Sequence, residues 1–386
     1  MNKYFIVIGM IIFCLGFISC DGNKENQEKP DNYGQATWPI FRGDQGLTGV
    51  ATGILPDELD LLWTFKTGFA IKSSPVVGLG LIFIGSNDGF VYALEIDSGS
   101  VKWKFDTNDN VEAPPLLVDS TIYVGCLSGD FYAFDALSGR LNWKFETDGQ
   151  LHGSANWCNA PDESTKWILV GSYDNLMYCL NSKTGKLIWK FETEYYINGA
   201  PATDGKTIVF GGCDEIVYLI SSENGEKYGG VEAGSYIAGS AAVIDERAYI
   251  GHYGDKVICI DIESKTILWD YGVEKKGKAF FSSPAVNQKY VIIGSRDQSV
   301  HCIRRENGEG VWRFRTRDDV DSSPVICGNK VVVGSTDGRL YMLDIEEGSE
   351  QWSYEIGASI IGCPAVTAGK IFIGAEDGFV YAFGES

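Results

Sequence analysis

The sequence predicts an all-β protein, an eight-bladed β-propeller closed by a strand from near its own N-terminus. Three observations carry this expectation. A tryptophan-bearing strand recurs at nearly constant spacing, and a cluster of two small residues and proline recurs in phase with it. The chain also begins with the kind of strand that its end lacks.

The tryptophan marker falls at Trp63, Trp103, Trp143 and Trp189, is replaced by Tyr228, and resumes at Trp269, Trp312 and Trp352. Successive gaps are 40, 40, 46, 39, 41, 43 and 40 residues, a period that belongs to stacked supersecondary units. The second marker reads Ser73-Ser74-Pro75, Ala113-Pro114-Pro115, Gly199-Ala200-Pro201, Ser282-Ser283-Pro284, Ser322-Ser323-Pro324 and Gly362-Cys363-Pro364. Gly153-Ser154-Ala155 and Gly239-Ser240-Ala241 are the two copies without proline, which makes eight.

Within a unit the pattern is all strand. An opening strand follows the small residues. Leu81 to Gly85 is then continuously apolar, as a strand buried on both faces should be. Asn87-Asp88-Gly89 supplies a tight turn, Val91 to Leu94 a third strand, and Asp97-Ser98-Gly99 another turn. Val101 to Phe105 alternates, which leaves one wet face. Such a sheet cannot bury both faces alone; stacked radially, each covers the next. Phase settles the closure. Trp63 precedes any complete unit, while the last unit, from Ile360 to Phe383, stops after three strands. Residues 61–66 should therefore complete the final blade and cover an edge that could otherwise aggregate.

The first residues read differently. Lys3 is followed by an almost unbroken apolar run from Tyr4 to Ile18, too short for a membrane span and suited to a cleavable signal over residues 1–19. Phe17-Ile18-Ser19-Cys20 resembles the bacterial lipobox, with Phe17 where Leu is usual. That resemblance implies acylation of Cys20 and anchoring to a membrane; a plain secretory signal is the alternative. Residues 20–37 then form a polar tether, and residues 38–386 a single propeller domain. The formal net charge is −20, and −21 without residues 1–19. An acidic surface of this size repels phosphate backbones, so nucleic acid is excluded as a partner and a basic protein surface or a cation is favoured. Cys179, Cys259 and Cys302 fall in the slot that Ala93, Ala133 and Ala382 occupy in other repeats. They are expected as buried free thiols rather than as a disulfide framework.

Gly85-Ser86-Asn87-Asp88-Gly89-Phe90-Val91-Tyr92-Ala93-Leu94 and Gly334-Ser335-Thr336-Asp337-Gly338-Arg339-Leu340-Tyr341-Met342-Leu343, with the T-G-x-x-x-W-x-F ending, resemble the pyrroloquinoline-quinone (PQQ) type of propeller repeat. Trp38-Pro39-Ile40-Phe41-Arg42-Gly43 looks like the lead-in of many exported members. The resemblance covers roughly residues 38–384 and implies one of two functions. One branch holds quinoprotein dehydrogenases, which carry the quinone on the axis beneath a vicinal Cys-Cys pair, with a Ca²⁺ site and long insertions. The other holds non-enzymatic lipoproteins such as BamB, which assists outer-membrane β-barrel assembly. The chain has no adjacent cysteines and near-minimal blades. Its one candidate for an aromatic floor, Trp157, shares strand parity with apolar Leu151 and should pack between blades. The resemblance therefore points to a non-catalytic, monomeric envelope scaffold with a protein partner, without PQQ, Ca²⁺ or another metal.

Two sets of residues stand out as candidate sites. The position before each small-residue marker varies: Lys72, Glu112, His152, Asn198, Ala238, Phe281, Asp321 and Ile361. The position before that is uniformly apolar, from Ile71 through Ile360. Alternation sends the uniform set into blade packing and the varied set toward the central funnel. Lys72, Glu112, His152, Asn198 and Asp321 could there bind a polar ligand or a cation; the simpler reading is a water-filled mouth. The turn aspartates, such as Asp88 and Asp337, recur too regularly for a metal site and are expected to form the turns. The third unit alone carries an enlarged loop, around Asp162 and Glu163 and flanked by Trp157 and Trp167, where a partner contact could sit.

Overall fold

Each repeat forms one four-stranded antiparallel sheet whose strands run outward from a common axis in chain order. The computed structural model describes residues 37–272 and 278–385; the signal, Cys20 and nearly all of the tether lie outside the described residues. Blade 1 consists of Val76–Gly78, Leu81–Gly85, Phe90–Glu95 and Val101–Asp106. Blades 2 to 7 repeat this order over 116–146, 156–192, 202–232, 242–272, 285–315 and 325–355. Blade 8 is completed as expected. Asp60–Lys66 lies antiparallel to Phe379–Gly384, outside Lys370–Gly374 and Ala365–Thr367. The second strand is buried throughout and the outer strand alternates exposed with half-buried positions, which is the predicted gradient from axis to rim.

Neighbouring blades dock through the tryptophans. Trp103 Nε1 donates to Ala136 O of blade 2 at 2.8 Å, and Trp312 Nε1 donates to Ile345 O of blade 7 at 2.8 Å. The turn glycine of the next blade lies against the same ring. Gly139 has φ +69°, and a Cβ there would stand 2.6 Å from Trp103 Cδ2. At the axis the small residues have an equally direct cause. A Cβ on Gly199 would meet Gly239 O of the next blade at 2.8 Å. At the next position of the marker, a serine hydroxyl accepts the amide of the blade before. Ser240 N donates to Ser283 Oγ at 2.9 Å, and Ser283 N to Ser323 Oγ at 2.9 Å.

One feature has no counterpart in the repeat. Residues 38–55 cross one end of the central channel and satisfy the inward edges of the innermost strands. Trp38 exchanges two backbone hydrogen bonds with Val77 of blade 1, and Leu117 N of blade 2 donates to Pro39 O. Gln45 Nε2 donates to Trp157 O of blade 3, while Thr203 N of blade 4 donates to Gln45 O. Val243, Val286 and Ile326, in blades 5, 6 and 7, donate to Gly46 O, Thr48 O and Gly49 O. Val50–Ala51 then pairs parallel with Ile326 and Cys327 and gives blade 7 a fifth, innermost strand. Buried edge amides cannot stay unpaired, and this plug is how six of the eight are paired, while in blade 3 Asn156 Oδ1 accepts the Trp157 amide.

Candidate functional site

The plug seals the end of the channel that carries the first-to-second strand turns. The opposite end, where each innermost strand begins, carries the varied ring. All of the apolar partners of that ring, from Ile71 to Ile360, are buried, and its own members are half-buried around the mouth.

Three of the five predicted funnel residues come together. Glu112 Oε1 accepts from Lys72 Nζ and from Asn87 Nδ2, each at 3.0 Å, and Glu112 Oε2 lies 3.5 Å from His152 Nδ1. The hydrogen bond from His152, followed by Lys72 and Asn87, holds the Glu112 carboxyl down at about 2 against the opposing effect of burial. The other two stand apart. Asp321 takes a bidentate pair from Arg296 Nε and Nη2 at 2.9 and 2.8 Å. Asn198 Nδ2 donates to Cys213 Sγ at 3.0 Å and to Ile237 O at 3.3 Å. The five residues thus fall into three separate groups, each with partners inside the chain.

What joins these groups is aromatic. His152 lies against Tyr173 with centroids 4.4 Å apart, and Tyr173 stacks on Tyr196 at 4.9 Å. Tyr195 meets Tyr196 edge-on, Tyr253 N donates to Tyr236 O, and Tyr253 contacts Phe281 at 6.1 Å. Arg296 lies 4.1 Å above the Phe281 ring. Burial first, then the neighbouring Cys213, Glu112, Tyr253 and Tyr196, push the Tyr173 hydroxyl up to about 12. The arc runs over blades 3 to 6 and leaves large apolar faces in water, with Tyr195 56% and Tyr236 52% exposed. Tyr173, Tyr253 and Arg296 occupy the variable x of the G-S-x-D turn, filled elsewhere by Asn87, Leu127, Cys213, Thr336 and Glu376. This position is as diverse as that of Lys72 and Glu112, but in six of the eight copies it stands beside a turn-forming aspartate.

Those aspartates do make the turns. Asp88 Oδ1 accepts the Phe90 amide at 3.0 Å and Asp88 Oδ2 accepts the Tyr92 hydroxyl at 2.7 Å; Asp337 repeats both bonds with Arg339 and Tyr341. The enlarged loop of blade 3 lies at the plugged end, opposite the funnel. Asp162 is engaged in a local turn with Ser164, Glu163 is exposed, and Trp167 packs into the core shared by blades 3 and 4. The loop forms one wall of an open cleft of about 840 Å³ between blades 2 and 3, bordered also by Asp119, Arg140 and Trp143. Trp157 packs against the core of blades 2 to 5 and is covered by the Lys166 ammonium at 4.4 Å.

The family model for the outer membrane protein assembly factor BamB matches residues 55–161, 160–228 and 213–383. The chain belongs to this BamB family. A comparison with curated proteins gives no match. Among solved structures, BamB from Moraxella catarrhalis is similar with a TM-score of 0.72 at 18% identity, over 85% of this chain and 100% of that one. The quinohemoprotein alcohol dehydrogenase of Comamonas testosteroni reaches 0.75 at 13% identity, over 91% of this chain and 81% of that one. The computationally designed Ika8 protein reaches 0.73 at 16% identity, over 84% and 99%. An assembly factor, an enzyme and a designed protein are thus about equally similar in shape, so the likeness shows the fold alone. Trp157, the aromatic floor that the sequence offers to an axial quinone, does not fit that role. The face of Trp157 is taken by Lys166 at the plugged end, and the eight described cysteines are all unpaired.

Proposed function

We propose that this BamB-family member is a non-catalytic lipoprotein scaffold of the cell envelope. It acts as a monomer, is anchored through acylated Cys20, and receives a protein partner in outer-membrane protein assembly. The observation that carries the reading is the exposed aromatic arc of Tyr195, Tyr196, Tyr236 and Tyr253 on the open end of the channel. Rigid aromatic side chains gathered at a half-wet rim are the composition of protein-binding hot spots. The ion pairs beside them, Lys72–Glu112 and Arg296–Asp321, are matched within the chain and serve as a polar border. The acidic surface favours a basic partner and disfavours nucleic acid. The misfit of Trp157 to a quinone supports a role without PQQ or Ca²⁺.

The test is crosslinking in native envelope membranes followed by capture on a C-terminal tag. The Tyr195→Ser, Tyr196→Ser, Tyr236→Ser variant should keep its fold and lose about tenfold or more of the captured partner. Undiminished capture by the variant would remove the arc from the interface. A Cys20→Ser variant should leave the membrane fraction. Purified protein given PQQ and Ca²⁺ should bind no chromophore and oxidise no alcohol with a dye acceptor; turnover would overturn the scaffold reading.

A further inference from the structure

Three arginine and lysine side chains are buried among the described residues, and two have a carboxylate. Lys330 Nζ donates to Asp57 Oδ1 at 2.7 Å and to Leu55 O at 2.6 Å. Arg305 Nη2 donates to Asp245 Oδ2 at 2.8 Å. The third is Arg42, in the middle of the plug, with 0% exposure and no ion pair among the described residues. Its Nη1 donates to Pro324 O, where blade 7 begins, and to Cys363 Sγ of blade 8 at 3.3 Å. Its Nε and Nη2 have no partner.

A guanidinium stays charged at every pH the fold survives, and a buried charge without a counter-charge is among the most unfavourable arrangements in a protein. The thiol beside it does not supply one. Burial pushes the Cys363 thiol up against the pull of Arg42, which leaves it neutral. The two unpartnered nitrogens share one edge of the guanidinium, the edge that takes an anion through two parallel N–H groups. Gly49 packs over the face of the guanidinium and not at that edge. A Cβ on Gly49 would lie closest to Nη2, 2.5 Å from Cζ and 3.1 Å from Nε, a point above the plane rather than beside it.

We propose that the propeller axis holds a small monovalent anion, of the chloride class, in the fork formed by Arg42 Nε and Nη2. The anion neutralises the one buried cation that has no carboxylate among the described residues. It thereby secures the plug against blade 8, whose start at Cys363 the plug reaches through the Arg42 side chain. Closure of this end of the channel then depends on the anion present when the chain folds.

Crystals of the protein grown in sodium bromide test this directly. The expected result is an anomalous peak at hydrogen-bonding distance from Arg42 Nε and Nη2, absent in Arg42→Met. In solution, protein refolded from denaturant into chloride or bromide should melt a few degrees higher than protein refolded into gluconate of equal ionic strength. Arg42→Met should lose that difference. Water at the fork in the wild-type bromide crystal, or ultraviolet absorbance of a Cys363 thiolate at neutral pH, would overturn the proposal. So would equal melting in all three salts. If Arg42→Met does not fold, the wild-type crystal and the ranking of salts still decide.

Discussion

Trp63 stands opposite Ala382 in the last blade, and its indole Nε1 donates to Ile96 O in the first blade at 3.1 Å. One side chain thus pairs the two ends of the chain and docks the blade they share against its neighbour. The ring is closed by the same indole-to-carbonyl contact that joins five of the other seven pairs of blades, made by a strand that comes from the other end of the sequence.

Removing residues 58–68 should therefore expose the edge of Phe379–Gly384 and promote strand pairing between molecules. Light scattering after size exclusion should show oligomers, with a lower melting temperature. A monomer of unchanged heat resistance would contradict the closure. Trp63→Ala alone should cost about 3 kcal/mol in urea unfolding.

Gly139 tests the blade-to-blade contact. Its φ of +69° disfavours any side chain, and a Cβ would meet the Trp103 ring. Gly139→Ala should cost about 2–3 kcal/mol, measured as a fall in the urea midpoint. Leu137→Ala, two residues away and exposed, should change it little.

The boundary between blades 4 and 5 departs from the rule and should be open to improvement. Tyr228 stands in the tryptophan slot and Lys265 in the glycine slot, at φ 59°, with its ammonium 4.0 Å over the Tyr228 ring. The cation–π contact offsets part of the left-handed strain. Lys265→Gly alone should be near neutral. Tyr228→Trp with Lys265→Gly should gain about 1 kcal/mol, seen as a higher urea midpoint at unchanged slope.

Glu112 gives stability a defined pH dependence. Its carboxyl is held at about 2 in the fold, below the ordinary value of 4.5. A depressed folded value favours the ionised form, so the contribution is fully present above about 4.5 and is lost as pH falls toward 2. Glu112→Gln should lower stability by roughly 1 kcal/mol at neutral pH. The gap in melting temperature from wild type should close between pH 5 and 2; a gap independent of pH would contradict the assignment.

The two varied rings show how far a repeat can be read. Lys72, Glu112 and His152 were found because packing enforces sameness at Ile71 and its equivalents and not one residue later. The same rule places Tyr173, Tyr253 and Arg296 on the rim, but the strong local role of Asp174 and Asp297 concealed Tyr173 and Arg296. Neither ring disclosed its pairing. Asp321 is claimed by Arg296 and Glu112 by Lys72 and His152 because adjacent loops converge at the mouth, a spacing that strand alternation does not encode.

Blade number, strand order and the completion of blade 8 were determined by the sequence itself, because they rest on contacts between neighbouring repeats and each copy restates them. The plug was decided by tertiary structure. Gln45 bonds to Trp157 and Thr203, and Arg42 to Pro324 and Cys363, partners far away along the chain that become neighbours once eight inner edges converge on one axis. A segment without repeats carries no second copy against which to read it, so its partners are set by that convergence and not by any local pattern.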